Sequence, residues 1–244
     1  MNSVEVSTLR GQVAVVTGAG RGIGRAIALA YAKAGAAVVC SARTGDEIDE
    51  TAALITAQGG RAIAIASDVT DYESVEALFA EAVRAFDGVD IVVANAGVGT
   101  VTGTVEHSDP KLWKQVIDVN LVGAFHTARA AIPHLRRRGS GKIILLGSGL
   151  RQRPNANLSA YGSSKAGMWL LTQTLALELQ DANISVNELI PGPVRTAMTD
   201  FGGKCQFNEE WVKEPEDVVP LAMLLASQPD FGPSAQSFSL MRRA

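Results

Sequence analysis

Cysteine and histidine are scarce in this chain, and their scarcity limits what the protein can be. The two cysteines among 244 residues, Cys40 and Cys205, are too few for a disulfide framework, and neither belongs to a Cys-x-x-Cys pair. Cys40 falls within an apolar run, where we expect it to be buried as a small hydrophobic side chain. The three histidines, His107, His126 and His134, lack the spacing of a metal-binding motif, so no metal site is predicted.

The chain also lacks an excess of basic residues and any long hydrophobic run. Its 22 Lys and Arg residues against 25 Asp and Glu give a net charge of −3, which is not the footprint of a nucleic-acid-binding protein. The basic cluster Arg136–Arg138 falls where a helix is expected to end, and there it suits the helix dipole. No apolar run is long enough to span a bilayer, and residues 1–10 carry no signal-peptide pattern. We therefore expect a cytoplasmic protein with neither a membrane nor a nucleic-acid partner.

Short apolar runs alternate with longer segments of helical periodicity along the whole chain. Because these runs are continuous rather than alternating, they predict strands covered on both faces, as in a parallel sheet. The predicted strands are Val13–Thr17, Ala37–Cys40, Ala62–Ala66, Ile91–Asn95, Lys142–Leu146, Ser185–Ile190 and Ser237–Leu240. Because the sequence contains no linker-like or low-complexity segment, residues 1–244 are predicted to form one α/β domain. Its expected architecture is a doubly wound Rossmann sheet of seven mostly parallel strands with helices on both faces.

Two predicted helices are unusual. The segment Pro110–Arg138 is long and contains Pro133, which should kink it because proline removes a backbone donor. The segment Ser159–Gln180 is apolar on more than one side, which predicts burial nearly all round. Burial within the same chain and burial against a second subunit explain that pattern equally well.

A glycine-rich segment joins the first predicted strand to the first predicted helix. In Thr17-Gly-Ala-Gly-Arg-Gly-Ile-Gly24, the glycines at 18, 22 and 24 permit a tight turn and close approach of the backbone to a pyrophosphate. The N-terminus of the helix, which begins near Ile23, supplies unpaired N–H groups and the positive end of a dipole. A strand before this loop and a helix after it indicate a dinucleotide site.

Tyr161 and Lys165 indicate acid–base chemistry. They are four residues apart, so a helix places them on one face, one turn from each other. A phenol with a pKa of ~10 is a poor base at neutral pH, but a nearby ammonium favours its charged form. The pair can therefore act as a general acid and base.

These motifs together resemble those of the short-chain dehydrogenase/reductase family. The matching features, in order, are Thr17-Gly18-x-x-x-Gly22-x-Gly24, Asn95-Ala96-Gly97, Asn120, Ser148, Tyr161-x-x-x-Lys165 and Pro191-Gly192-x-Val194-x-Thr196. The resemblance covers residues 8 to 240 and is closest to the ordinary single-domain type, similar to 3-oxoacyl-[acyl-carrier-protein] reductases. The carboxyl end departs from that pattern, since Leu240-Met241 stands where a glycine pair is usual.

The resemblance implies four catalytic residues. Tyr161 would pass a proton to or from the substrate oxygen while a hydride moves to or from the nicotinamide. Ser148 would donate a hydrogen bond to the same oxygen, where charge develops in the transition state. Lys165 would lower the pKa of the tyrosine and hold the ribose hydroxyls of the nicotinamide. Asn120 would anchor a water that links Lys165 to solvent.

The resemblance also implies cofactor contacts beyond the glycine loop. Asp68 and Val69 would flank the adenine, and Asn95, Ala96 and Gly97 would lie along the ribose on the adenine side. Pro191, Gly192, Val194 and Thr196 would form the segment that meets the nicotinamide carboxamide.

The end of the second strand bears on the choice of nicotinamide cofactor. An acidic residue there binds the 2′-hydroxyl of NAD, whereas an arginine accommodates the 2′-phosphate of NADP. This chain has Ser41 and Arg43 there, and Arg21 in the loop adds a second cation. We therefore predict NADP(H) in preference to NAD(H). The alternative is that Arg43 points to solvent, since Arg21 also occurs in similar enzymes that use NAD.

The substrate is expected to be a small carbonyl or alcohol compound. The leading hypothesis is an NADP-dependent carbonyl reductase for a 3-oxoacyl thioester or a related ketone. An NAD-dependent dehydrogenase for a sugar, polyol or other secondary alcohol is the alternative, and a nucleotide sensor without turnover is a remote one. The pocket walls are predicted at 98–107, 149–158 and 198–211, where Arg151 could meet an anionic group of the substrate. Family resemblance implies a homotetramer, with a dimer as the alternative.

Overall fold

The protein is described here by a computed structural model, which covers residues 9–99, 103–199 and 212–241. Its centre is one parallel sheet of seven strands. The strands are β1 (Val13–Thr17), β2 (Ala37–Ala42), β3 (Arg61–Ala66), β4 (Ile91–Ala94), β5 (Gly141–Leu146), β6 (Ile184–Ile190) and β7 (Ser237–Ser239). Their order across the sheet is β3-β2-β1-β4-β5-β6-β7, and all six neighbouring pairs run parallel.

Seven α-helices cover the two faces of this sheet in the described part of the chain. They are α1 (Gly22–Lys33), α2 (Gly45–Ala57), α3 (Tyr72–Phe86), α4 (Pro110–Ile117), α5 (Gly123–Arg138), α6 (Ser159–Glu178) and α7 (Val219–Ser227). One hydrophobic core joins the sheet to α3, α5 and α6, and a second joins the opposite face to α1, α2 and α7. The predicted doubly wound α/β fold is confirmed.

The central strands are buried on both faces, as their continuous apolar sequences predict. All residues of β1, β4, β5 and β6 are buried. Cys40 in β2 is fully buried too, in agreement with its place in an apolar run. Every predicted strand is present, and its bounds differ from the predicted ones by at most two residues.

The long helix predicted at residues 110–138 is not a continuous α-helix. A π-helical segment, Asp118–Val122, separates α4 from α5, whereas Pro133 lies inside α5. Asn120 sits in this segment with no exposed surface, and its amide pairs with the backbone of Val98. A π-helical turn inserts one extra residue into the helix, which is how such a polar side chain is brought onto the face that meets the sheet.

The strand order also fixes where a ligand can bind. Strands β1 and β4 are neighbours, but the chain continues from β1 through β2 to β3 on one side and from β4 to β7 on the other. Crossover connections leave the sheet in opposite directions at this point, which opens a crevice at the carboxyl ends of the strands. No helix among the described residues is long and apolar enough to cross a membrane.

Candidate active site

The glycine loop between β1 and α1 has the geometry of a phosphate cradle. Gly18 and Gly22 have φ angles of 66° and 55°, a region that disfavours other residues. A Cβ on Gly24 would collide with the carbonyl oxygen of Gly18, so only glycine lets the helix start this close to the strand. No side chain caps the first turn of α1, and no acidic residue lies in it. Its N–H groups and dipole are therefore available to an anion.

Asn95 holds this loop against the sheet. Its Nδ2 donates to the carbonyl oxygens of Thr17, at 2.8 Å, and Gly18, at 3.1 Å. The hydroxyl of Thr17 in turn accepts hydrogen bonds from the backbone N–H groups of Asn95 and Ala96, both at 3.1 Å. The Asn95-Ala96-Gly97 motif thus supports the sheet and fixes the shape of the crevice.

A cleft of about 410 Å³ opens beside the loop and collects most of the predicted cofactor residues. The predicted residues that line it are Gly18, Arg21, Gly22, Ile23, Gly24, Ser41, Arg43, Asp68, Val69, Asn95, Ala96, Gly97 and Thr196. Val98, Gly99 and Met198, which also line the cleft, belong to the predicted pocket walls, whereas Glu47 has the largest side chain among the lining residues that the sequence did not reveal. Glu47 lies in the first turn of α2. No pattern in the sequence could have shown that this first turn faces the crevice.

The charges at the end of β2 are arranged around this cleft. Ser41 is buried, and its hydroxyl has no hydrogen-bond partner within residues 9–99, 103–199 and 212–241. Arg43 is exposed and close to Asp68. Burial opposes the charge of Asp68, but hydrogen bonds from Thr70 and the charge of Arg43 prevail, and its pKa is lowered. Arg21 forms an exposed ion pair with Glu47, at 3.4 Å.

The segment after β6 reaches the cleft through Thr196. Pro191, Gly192 and Val194 do not line it, and the predicted contact of this segment with the nicotinamide stays a prediction. Val194 is 3% exposed because its side chain packs in the core and its backbone bridges to Lys213.

Ser148, Tyr161 and Lys165 come together at the carboxyl end of β5. None of the three lines the cleft itself, and the predicted cofactor contacts of Tyr161 and Lys165 stay predictions; Asn120 connects their helix to Val98 in the cleft wall. Ser148 follows β5, and its hydroxyl forms a hydrogen bond with the hydroxyl of Tyr161. Lys165 lies one helical turn after the tyrosine, with its Nζ 5.6 Å from the centre of the tyrosine ring. The same Nζ donates to the carbonyl oxygen of Leu146, at 2.6 Å. Two hydroxyl groups and one ammonium thus share a corner at the end of β5, in which Lys165 is buried and Ser148 and Tyr161 are half-buried.

The pKa values in this corner differ from the sequence-based expectation. Burial raises the pKa of Tyr161, and the hydrogen bond from Ser148 opposes that rise. The expected lowering by Lys165 is therefore not what this structure shows, since the ammonium lies over the ring and points to Leu146 rather than to the phenol oxygen. Burial also lowers the pKa of Lys165 to about 8, against the charge of Glu188, which raises it.

Asn120 is a buried residue of the π-helical segment rather than an ordinary mid-helix polar residue. Its Oδ1 accepts from the backbone N–H of Val98, at 2.8 Å. Its Nδ2 donates to the carbonyl of Val98, at 2.9 Å, and to the hydroxyl of Ser164, at 3.2 Å. Ser164 directly precedes Lys165, so Asn120 connects the crevice wall to the catalytic helix.

Arg151 is turned inward to a buried carboxylate, which argues against the hypothesis that it meets an anionic group of the substrate. Its side chain is 9% exposed and lies 3.1 Å from the carboxylate of Glu188. The guanidinium also stacks over Trp169, at 5.2 Å. A buried carboxylate on β6 holds it inward, and an anionic group of a substrate would have to compete with that charge. Of the predicted pocket walls, residues 100–102 and 200–211 lie outside the described part.

Comparison with known proteins identifies the family. The family model described as short chain dehydrogenase matches residues 12–204. The chain is 39% identical over 230 residues to 3beta-hydroxysteroid dehydrogenase 1 of Eggerthella lenta, which covers 90% of this chain and 88% of that protein. It is 36% identical over 240 residues to the NADPH-dependent aldehyde reductase 2, chloroplastic, of Arabidopsis thaliana, covering 90% and 88%.

A solved structure agrees. The short-chain type dehydrogenase/reductase from Mycobacterium marinum superimposes with a TM-score of 0.91 at 30% identity, over 97% of this chain and 96% of that one. The chain belongs to the short-chain dehydrogenase/reductase family. It is an oxidoreductase that acts on alcohol and carbonyl groups with a nicotinamide cofactor.

Proposed function

We propose that this protein reduces a ketone to a secondary alcohol with NADPH, the ketone being a 3-oxoacyl thioester or a related carbonyl compound. The observation that carries the proposal is the meeting of Ser148, Tyr161 and Lys165 at the carboxyl end of β5, and it is supported by a cleft along the glycine loop whose lining suits a dinucleotide. When bound, the cofactor supplies the hydride. The glycine loop fits its pyrophosphate, because the loop combines positive φ angles with an uncapped helix N-terminus.

The roles of the side chains follow from their chemistry. Tyr161 donates the proton to the carbonyl oxygen, and the raised pKa keeps its hydroxyl protonated for that task. Ser148 donates a second hydrogen bond to the same oxygen, where negative charge develops. Lys165 holds the ribose hydroxyls and places a positive charge over the face of the tyrosine ring. Asn120 orders the π-helical turn behind Lys165 and anchors the water that relays protons to it.

The preference for NADP(H) rests on the end of β2. The hydroxyl of Ser41, buried without a partner among the described residues, and the cations Arg43 and Arg21 suit a 2′-phosphate. Glu47 favours the alternative, an NAD-dependent dehydrogenase for a sugar, polyol or other secondary alcohol, because its carboxylate lines the same cleft and pairs with Arg21. Two relatives are named as a hydroxysteroid dehydrogenase and a glucose dehydrogenase, and these names also support oxidation of an alcohol as the alternative.

The test of the function is a panel of ketones and alcohols assayed with both cofactors through the absorbance of the reduced nicotinamide. 3-Oxoacyl thioesters, cyclic ketones and reducing sugars represent the substrate classes. The proposal expects ketone reduction with NADPH to give the highest kcat/KM. Faster oxidation of an alcohol with NAD would establish the alternative, and nucleotide binding without turnover of any compound would indicate a sensor.

Arg43→Ala is expected to lower kcat/KM for NADPH about 10- to 100-fold and to change kcat/KM for NADH less than about threefold. A charge-assisted hydrogen bond to a phosphate contributes about 1.5–3 kcal/mol, and NADH has no 2′-phosphate to lose it. Arg84→Ala is the matched control, because Arg84 is an exposed helical arginine paired with Glu81. Equal losses with both cofactors would contradict the assignment.

We further propose that the protein is a homotetramer, or else a dimer, that covers the outer face of α6. Trp169, Leu170 and Leu177 are 38%, 59% and 74% exposed, so the chain's own core leaves this apolar face open. Phe125 on α5, 41% exposed, adds to the apolar surface. Sedimentation equilibrium measures the mass directly, and a monomer at micromolar concentration would contradict the proposal.

A further inference from the structure

A glutamate stands inside a strand where a charge is costly. All seven residues of β6 are buried, and Glu188 has no exposed surface. Side chains alternate along a strand, so Glu188 projects to the same side as Val186, which is the face covered by α6. An ionised carboxylate in such a place requires charged or hydrogen-bonding partners.

Glu188 finds its partners on two neighbouring segments. Ser237 lies opposite it in β7 and donates a hydrogen bond to Oε2, at 2.6 Å. The Nε of Arg151 lies 3.1 Å from the same oxygen, with the two side chains 9% and 0% exposed. The Nη2 of Arg151 also donates to the hydroxyl of Ser237, at 3.1 Å. The pair is close but poorly aligned, because Nε and Oε1 have no hydrogen-bond partner in the described part of the chain.

This cluster is joined to the catalytic residues at two points. Gly147 precedes Ser148, and a Cβ on it would collide with the carboxylate of Glu188, so the glycine leaves the space that the carboxylate fills. Arg151 ends the short turn that begins at Ser148. Within this turn the backbone N–H of Leu150 donates to the serine hydroxyl, at 3.2 Å. A tether on Arg151 thereby fixes the turn that orients Ser148.

The second point is Lys165, whose ammonium lies in the same buried region. Its Nζ contacts the ring of Tyr161 on its own helix, the carbonyl oxygen of Leu146 on β5 and the sulfur of Met168. Leu146 directly precedes Gly147, against which the carboxylate of Glu188 packs, so the carboxylate lies near the ammonium. Glu188 is the one acidic group, among the described residues, whose charge acts on the pKa of Lys165, and it raises that pKa. Burial raises the pKa of Glu188. The hydrogen bond from Ser237 and the positive charges of Arg151 and Lys165 each lower that pKa, but burial outweighs them.

We propose that Glu188 is a positioning residue of the reaction, resting on the catalytic roles proposed above for Ser148 and Lys165. Its carboxylate ties the turn after Ser148 to β6 through Arg151, and it is the buried counter-charge of the Lys165 ammonium. Glu188 touches neither substrate nor cofactor in this account and acts only through these two residues.

The test compares Glu188→Gln with the double variant Arg151→Met/Glu188→Gln. The single variant leaves the guanidinium of Arg151 buried without its partner and can fail to fold, whereas the double variant removes both charges together. Asp230→Asn is the matched control, because it breaks the ion pair with Lys142 away from the site. Thermal unfolding shows which variants are folded.

We expect kcat/KM of the double variant to fall about tenfold at pH 8 and to approach the wild-type value at pH 6. The reason is that Lys165, with its counter-charge removed, loses its proton at lower pH than in the wild type, where its pKa is about 8. The fall should lie in kcat rather than in KM for the ketone. Asp230→Asn should keep the wild-type profile.

A second readout does not depend on turnover. The ¹³C resonance of the lysine Cε, assigned with Lys165→Arg, reports the titration of Lys165, and its midpoint should lie at lower pH in the double variant. An unmoved midpoint would overturn the proposal, whether kcat/KM is unchanged or falls equally at every pH. If Tyr161→Phe retained activity, the proposed function would fail, whereas the Lys165 titration would still decide on Glu188 as its counter-charge.

Discussion

Tyr161→Phe is expected to lower kcat for ketone reduction about a thousandfold while the Kd of NADPH stays within about twofold. The substitution removes one oxygen, and with it the only group proposed to give the carbonyl its proton, and general acid catalysis contributes about 10²- to 10⁴-fold. The hydroxyl has no role in forming the cleft, which is built by the glycine loop and the ends of β2 and β4. Steady-state kinetics and fluorescence titration of NADPH measure the two quantities.

Tyr72→Phe is the matched control for this experiment. Tyr72 is a partly buried helical tyrosine whose ring packs against His126 and Arg129, outside the cleft. The control should keep wild-type kcat and Kd. If Tyr161→Phe also kept its kcat, Tyr161 would not be the proton donor. If it lost NADPH binding instead, the hydroxyl would belong to the cofactor site.

Lys165→Met is expected to abolish most activity and yet to stabilise the fold at pH 7 by about 2 kcal/mol. Burial lowers the pKa of Lys165 from 10.5 to about 8 in the folded protein, so the buried ammonium costs about 3 kcal/mol at neutral pH. The variant also loses the hydrogen bond to the carbonyl of Leu146, which reduces the gain in stability by about 1 kcal/mol. Methionine fills a similar volume and has no charge to desolvate.

The pH dependence of stability has a definite sign for this group. Between pH 8 and 10.5 the unfolded chain binds the lysine proton and the folded protein does not, so the wild-type free energy of unfolding rises with pH in that window. Below pH 8 the cost is fully present, and above 10.5 it is gone. The advantage of Lys165→Met should therefore shrink as pH rises. Urea denaturation at pH 7 and 9.5 measures it.

The control for this variant is Lys142→Met. Lys142 is also a buried lysine, but it lies on β5, and its ammonium forms an ion pair with Asp230 at 2.9 Å, outside the site. Its loss should leave kcat unchanged and give no gain in stability. A Lys165→Met protein that is less stable than the wild type at pH 7 would show that the ammonium of Lys165 stabilises the fold rather than straining it.

The sequence predicted the sheet well because a strand that is covered on both faces consists mostly of apolar residues. A short apolar run such as Val13–Thr17, which lies between a turn and a glycine loop, is too short for a helix and is best explained as a buried strand. The glycine loop and the Tyr161–Lys165 pair were equally clear, since their geometry follows from local spacing along one element. These features require no knowledge of which distant segments meet.

The features that escaped prediction depend on such distant contacts. Arg151 looked like a residue of the substrate pocket, because nothing near it in sequence shows that Glu188, on another strand, turns it inward. Glu188 itself lay within a predicted buried strand, and an acidic residue in such a strand was a signal that could have revealed the pair. The π-helical turn at Asn120 likewise follows from its pairing with Val98, which helical periodicity cannot encode.

A crystal structure of the protein with bound NADP⁺ would show whether Tyr161 is placed to give its proton to the substrate. We expect the hydroxyl of Tyr161 and the hydride-accepting carbon of the nicotinamide to face one space that a single carbonyl group can reach from both sides. The ammonium of Lys165 should then lie on the nicotinamide ribose. A nicotinamide ring held elsewhere, with the hydroxyl of Tyr161 out of reach of any group that contacts its reactive carbon, would contradict the account.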